Sequence, residues 1–263
     1  MAEPARLAVS NQKGGVGKTA IAINVAAALT HRDNEVLFVD LDPQGNATEN
    51  LGMRELYTDK PPTLCDILTD AEARSQITDL VQQHEEMDVI PSNIDMTAVE
   101  PELTLSRRSG QQLDLALDEV EDAYDWVIID CPPYLGHLMD NALYAAQNAL
   151  IPALAESTSK RAFELLFDHI EALETDYDVW VRERGIVINR IDVRKKQASE
   201  MIAWIEDAFP ALPIWKVRDR AAIQRAMANG VSLFQEAPGS DQLLVFDDIA
   251  SNLEQQLTAG GQP

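Results

Sequence analysis

Short, almost wholly apolar runs alternate along this chain with longer stretches whose apolar residues recur at helical spacing. The runs Leu7 to Val9, Glu35 to Asp40, Met87 to Pro91, Asp125 to Asp130, Ala149 to Ala153, Gly185 to Asn189 and Leu212 to Lys216 read as strands. Several are apolar at nearly every position, as strands covered on both faces are. A first helix is expected from near Lys18 to about Thr30, with Ile21, Val25, Ala28 and Leu29 inward. Helical spacing recurs between Leu103 and Val120 (Leu113, Leu117, Val120), over Asn141 to Ala146, and from Ser159 through Phe163, Leu166, Phe167 and Ile170. Residues 47–86 are less regular; Thr63 is placed to cap a short helix over Leu64, Ile67 and Leu68, and the segment is expected to cover one sheet edge without chemistry of its own. Alternating strands and crossover helices predict an α/β fold: a doubly wound, mostly parallel sheet with helices on both faces. A length of 263 residues suits one domain, over 1–258, with a frayed tail at 259–263.

Between the first strand and first helix stands Lys13-Gly14-Gly15-Val16-Gly17-Lys18-Thr19. The ordinary phosphate loop has a glycine five residues before its Gly-Lys-Thr, and Gln12 occupies that place here. The physics of the loop survives. Glycines let successive N–H groups face phosphate oxygens, and the helix that follows points its positive end at the same anion. Lys18 can reach the β- and γ-phosphates, and the Thr19 hydroxyl can face Mg²⁺.

Ligands of open α/β sheets sit beyond the carboxyl ends of the strands. Two of the predicted strands end there in carboxylates, Asp40 with Asp42 just beyond, and Asp130. Asp42 is placed to orient or deprotonate an attacking water, and Asp130 to hold Mg²⁺. Asp40 suits a structural or outer metal role. Asn189 closes another strand, where its amide can offer a donor and an acceptor to an adenine edge.

The string KGGVGKT resembles the deviant Walker A loop of the ParA/MinD family of ATPases, in particular its ParA/Soj-type partitioning members. DLDPQGN resembles that family's second motif, and IIDCPP its Walker B with the switch loop Pro132 to His137. The resemblance implies ATP and Mg²⁺ as cofactors. The nucleotide is then held by Lys13, Gly14, Gly15, Val16, Gly17, Lys18, Thr19 and Ala20, with Asn189 at the base. Thr19 and Asp130 serve the metal, and Asp42 is the catalytic carboxylate. It also implies an ATP-dependent homodimer in which Lys13 reaches the partner subunit's nucleotide. Further implications are slow hydrolysis stimulated by a ParB-like or other adaptor, nonspecific double-stranded DNA binding, and segregation of DNA or positioning of a cargo at the nucleoid.

Composition qualifies this picture. The net charge is −23, from 44 acidic against 21 basic residues, which on average repels DNA and anionic membranes. A high-salt habitat accounts for such a surface by screening its self-repulsion; a moderately acidic cytoplasmic protein is the other reading. Against that background, Arg190, Arg194, Lys195 and Lys196 form one basic island, and Arg218, Arg220 and Arg225 a second. Arg218 and Arg225 are expected two turns apart on one helix face. Of these, Arg194, Lys195, Lys196, Arg218, Arg220 and Arg225 are the candidates for DNA phosphates, in a C-terminal third that resembles the DNA-binding region of ParA-type relatives; pairing with nearby acids is the rival reading. No apolar stretch approaches 18 residues and no basic, apolar leader is present, so a soluble, cytoplasmic chain is expected. A MinD-like ATPase that positions a cargo without binding DNA is the alternative. Its basic amphipathic end is not seen in the acidic, polar residues 247–263. Cys65 and Cys131 are expected buried and reduced, too few and too isolated for an electron-carrying cluster.

Overall fold

The computed structural model describes residues 4–257 apart from 107 and 192–195, with Lys196 and Gln197 described by backbone alone. Eight strands, β1 (Ala5–Val9), β2 (Val36–Asp40), β3 (Gln82–Gln83), β4 (Asp88–Ile90), β5 (Trp126–Asp130), β6 (Asn148–Leu154), β7 (Arg182–Ile191) and β8 (Ile214–Arg218), form one sheet in the order β3-β4-β2-β5-β1-β6-β7-β8. Every pairing is parallel except that of the two-residue edge strand β3 with β4. The chain winds outward to β2 and β4, returns through β5, and then builds the other half from β6. The reversal falls at β1, where a doubly wound sheet opens its crevice.

The apolar runs are buried on both faces, as their composition predicts. Leu7, Val9, Phe38, Trp126 and Ile128 pack in one layer with α1 (Lys18–Thr30) and the C-terminal helix Leu243–Leu257. Their alternate neighbours Ala8, Leu37, Val39, Val127 and Ile129 pack in the opposite layer, with the helices Leu64–Thr69, His137–Ala146 and Ser159–Tyr177. Period-two alternation thus sends every second side chain to a different core.

Several local expectations hold and others do not. α1 has the predicted bounds, and Ile21, Val25, Ala28 and Leu29 are buried. The helix after Thr63 is present, closed by the Asp66 carboxylate, which accepts the Thr63 backbone N–H at 2.7 Å and its hydroxyl at 3.0 Å. Among the described residues after Leu103 and up to Val120, however, only Gln112–Leu117 is α-helical. Gly110 interrupts the run, its N–H donating to the Tyr177 hydroxyl at 3.1 Å, and the Leu113 N–H donates to the Asn141 side chain at 2.9 Å. Tertiary partners for the backbone outweigh the spacing there. β8 runs two residues later than predicted, so Arg218 ends a strand while Arg225 lies in the helix Ala221–Ala228. The two arginines therefore do not share a helix face. Cys65 and Cys131 are buried and free. No helix among the described residues is long and apolar enough to cross a membrane.

Candidate nucleotide site

The site assembles where the carboxyl ends of β1, β2, β5 and β7 meet. Register brings its carboxylates together: Asp130 is the parallel neighbour of Val9 on one side and of Asp40 on the other. The glycine loop after β1 turns directly into α1. Gly17 has φ 90, and a Cβ there would collide with the Asn189 amide. Only glycine serves at that position.

A cavity of about 470 Å³ opens over this loop. It is lined by Gly14, Gly15, Gly17, Lys18, Thr19 and Ala20, by Asp42 from the loop after β2 and Asn46 from the short helix Asn46–Asn50 that follows it, by Pro133 after β5, and by Asn189. Lys18 is 6 % exposed, and burial lowers the pKa of its ammonium against the opposing charges of Asp130 and Asp42. Asp42 is 5 % exposed; burial raises its pKa, and its Oδ1 accepts the Gln44 N–H at 3.0 Å. Asp40 is satisfied structurally. It accepts the Thr48 N–H at 2.8 Å, the Thr48 hydroxyl at 2.7 Å and the Asp42 N–H at 3.2 Å, yet burial still raises its pKa to about 7.

Asp130 differs. It is wholly buried, and neither oxygen makes a well-formed hydrogen bond among the described residues. Burial first and the Asp40 charge second push its pKa well up, while the Thr19 hydroxyl and the Lys18 ammonium pull the other way. A buried carboxylate so weakly partnered is costly, and a cation relieves that cost. No cluster of three or more His, Cys, Asp or Glu side chains suited to a metal occurs among the described residues. The donor set therefore fits a hard cation that draws most of its oxygens from phosphate and water, as Mg²⁺ does.

The remaining predicted residues are distributed as follows. Val16 is buried beneath the loop, and its carbonyl accepts the Asn189 side-chain N–H at 2.9 Å. Lys13 turns away from the cavity: its ammonium bridges the Glu156 carboxylate at 2.9 Å and donates to the Thr158 hydroxyl at 2.6 Å. Arg218 and Arg220 line the cavity mouth and share the Asp241 carboxylate, at 3.4 and 2.6 Å. Arg225 pairs with Glu236 at 3.1 Å. These acids lie farther along the chain than the neighbours suggested by sequence. Arg194 and Lys195 fall outside the described residues, as does the side chain of Lys196. Asn50, Arg190, Gln224 and Met227 also line the cavity without having been singled out for it. They come from a short helix, the end of β7 and the helix after β8, and no local motif marks them; only the position of β8 beside β7 brings the last two near.

A phosphate-binding loop at the sheet's switch point, facing two acidic strand ends, defines a P-loop nucleotide-binding protein. A profile for a family described as AAA domain (AAA_31) matches residues 5–181. The chain belongs to the ParA/MinD-type P-loop ATPases, a family of partitioning or positioning ATPases. It is 31% identical over 250 residues to the sporulation initiation inhibitor protein Soj of Bacillus subtilis, covering 94% of this chain and 97% of that one. It is 36% identical over 211 residues to the chromosome partitioning protein ParA of Caulobacter vibrioides, covering 77% and 75% of the two chains. Among solved structures, cobyrinic acid a,c-diamide synthase from Mycobacterium smegmatis with bound ADP and magnesium superposes with a TM-score of 0.80. The two are 27% identical, and the match covers 98% of this chain and 96% of that one.

Proposed function

We propose that this chain is a Mg²⁺-dependent ATPase of the partitioning type, working as an ATP-closed homodimer. The observation that carries the reading is the gathering of Lys18, Thr19 and Asp42 around one cavity beside the wholly buried Asp130 carboxylate, which makes no well-formed hydrogen bond. The N–H groups from Gly14 to Lys18 and the Lys18 ammonium hold the triphosphate. Thr19 and Asp130 hold Mg²⁺, which supplies positive charge against the phosphate oxygens. Asn189 meets the adenine. Asp42 orients the attacking water, and its raised pKa makes it a better proton acceptor than an ordinary aspartate. Lys13 leaves Glu156 and Thr158 to reach the other subunit's phosphates. A cation supplied in trans to a triphosphate is worth about 10³–10⁵ in rate in other NTPases. Hydrolysis is slow until an adaptor protein stimulates it, and it then opens the dimer.

The ATP-bound dimer is the form proposed to hold nonspecific double-stranded DNA, through Arg218, Arg220, Arg225 and the island Arg194, Lys195 and Lys196, so that the protein segregates DNA at the nucleoid. Pairing subunits doubles phosphate contacts that salt weakens steeply, by about 10³–10⁵ between 50 and 200 mM for six to ten contacts. That matters most if the acidic surface reflects a high-salt habitat. A second reading, positioning of a protein cargo without DNA, is favoured by one observation: Arg218, Arg220 and Arg225 already spend their charge on Asp241 and Glu236.

Phosphate release with and without Mg²⁺, run beside DNA gel shifts with ATP, ADP and no nucleotide, tests both readings. Mg²⁺-dependent release with an ATP-only shift, lost in the Arg218→Glu, Arg225→Glu variant, supports segregation. Release without any shift supports cargo positioning, and no release with Mg²⁺ overturns the ATPase assignment.

A further inference from the structure

The loop that carries Asp42 is fastened from outside the cavity by two side chains. The Tyr57 hydroxyl donates to the Pro43 carbonyl at 2.7 Å, and the Ser92 hydroxyl donates to the Asp42 carbonyl at 2.7 Å. The Tyr57 ring also lies against Gly45, whose left-handed φ of 63 and lack of a side chain admit it; a Cβ there would collide with the ring. Both donors are themselves held. Ser92 is wholly buried, and its N–H donates to the Thr48 hydroxyl at 2.8 Å, which in turn donates to Asp40 at 2.7 Å. Asn93 donates to the Leu56 and Asp59 carbonyls, each at 3.2 Å, and so ties the 3₁₀ turn Arg54–Thr58 that bears Tyr57 to the Ser92 segment.

The Pro43 carbonyl thus finds its partner in a side chain, and the Asp42 carbonyl, which also accepts the Gly45 N–H at 2.9 Å, gains a second partner from a separate segment. Backbone carbonyls outside helices and strands need such partners. Here they also fix the two peptide planes on either side of Pro43, the first of which adjoins Asp42 and sets the backbone from which its side chain leaves. Neither Tyr57 nor Ser92 lines the nucleotide cavity.

We infer that Tyr57 and Ser92 are positioning residues that hold Asp42 at the angle from which it orients the attacking water. This rests on the assignment of Asp42 proposed above. A clamp of this kind acts on rate and leaves nucleotide affinity alone, because small displacements of a positioned group cost rate steeply.

The direct test is Tyr57→Phe, which keeps the ring on Gly45 and removes only the hydroxyl. Single-turnover hydrolysis with Mg²⁺ is compared with the affinity for a fluorescent ATP analogue and with hydrogen exchange over residues 42–48. Hydrolysis is expected to fall about fivefold to tenfold, the fold-change of one hydrogen bond of ordinary net strength, with affinity within about twofold. Exchange in the loop rises. In an Asp42→Ala background the same change leaves hydrolysis where it was. Unchanged hydrolysis in Tyr57→Phe, or equal slowing in both backgrounds, overturns the clamp. Normal turnover in Asp42→Ala alone is a different failure, that of the Asp42 assignment. Ser92→Ala repeats the test from the other anchor, and an effect on affinity without an effect on rate there also counts against the proposal.

Discussion

Replacing Asp130 with Asn is expected to make the nucleotide-free protein more stable while ending its hydrolysis. Asp130 is wholly buried with no well-formed hydrogen bond, and it shares its surroundings with Asp40, Asp42 and a single ammonium, Lys18. Asparagine keeps the shape and removes one negative charge from this excess. Removing one poorly compensated buried charge is worth about 2 kcal/mol, which in a chain of this size raises Tm by about 4–8 °C. The assay is thermal melting in EDTA without nucleotide, across pH. Burial raises these carboxylate pKa values, so the folded protein binds the protons more tightly than the unfolded chain does. The stability this confers is complete below the ordinary carboxylate range and is lost as pH rises through the folded value, about 7 for Asp40. The advantage of Asp130→Asn should therefore grow as pH rises above the ordinary carboxylate range and shrink as pH falls back into it. With Mg²⁺ and ATP present the order reverses, since ligand binding then stabilises the parent protein more. A variant that melts at or below the parent in EDTA at pH 8 would refute the reasoning, because Asp130 would then already have its partners.

Three further outcomes follow from other parts of the molecule. Asp42→Ala should still bind ATP yet remain dimeric long after mixing, as read by size exclusion; turnover at the parent rate removes Asp42 from its role. Glu156→Gln should favour ATP-dependent dimerisation only slightly, by less than about fivefold and not at all in high salt, because exposed ion pairs are weak and screened; the Glu156 side chain is 59% exposed. A larger shift in a concentration series would mean that the cis bridge to Lys13 is a true brake. Arg6→Ala should destabilise the fold by about 3 kcal/mol, since it strands the buried Glu121 carboxylate and the half-buried Asp114. The guanidinium meets Asp114 at 2.7 Å, Asp118 at 2.8 Å and Glu121 at 2.5 Å, with Glu121 itself buried. A loss under about 1 kcal/mol in urea titration, the range of surface pairs, would assign Arg6 a surface role.

The central strands and the nucleotide loop were legible from the chain alone because their signals are local. Continuous apolar runs ending in Asp40 and Asp130 can lie only in a covered parallel sheet, and the lysine-flanked glycine turn between strand and helix states its own chemistry. Register then did the rest, setting Asp40 beside Asp130. What failed was decided by distant contacts. The 103–120 region has helical spacing, but Tyr177 and Asn141 claim its backbone donors. Arg218 and Arg225 look like one helix face until β8 is seen to extend to Arg218. Tyr57 sits in a segment with no motif at all, and its reach to Pro43 depends on a turn held by Asn93 from beyond β4. Side chains that support a catalytic loop from the outside carry no periodicity and no spacing rule, so sequence does not mark them.

The most direct measurement of the central claim is the molar mass in solution with Mg²⁺ and a non-hydrolysable ATP analogue, by light scattering at a salt concentration that keeps the chain folded. Twice the 29.1 kDa of one chain is expected with the analogue, a single chain with ADP, and a single chain with the analogue when Lys13 is replaced by Ala. A protein that binds the analogue and stays at the mass of one chain would contradict that claim.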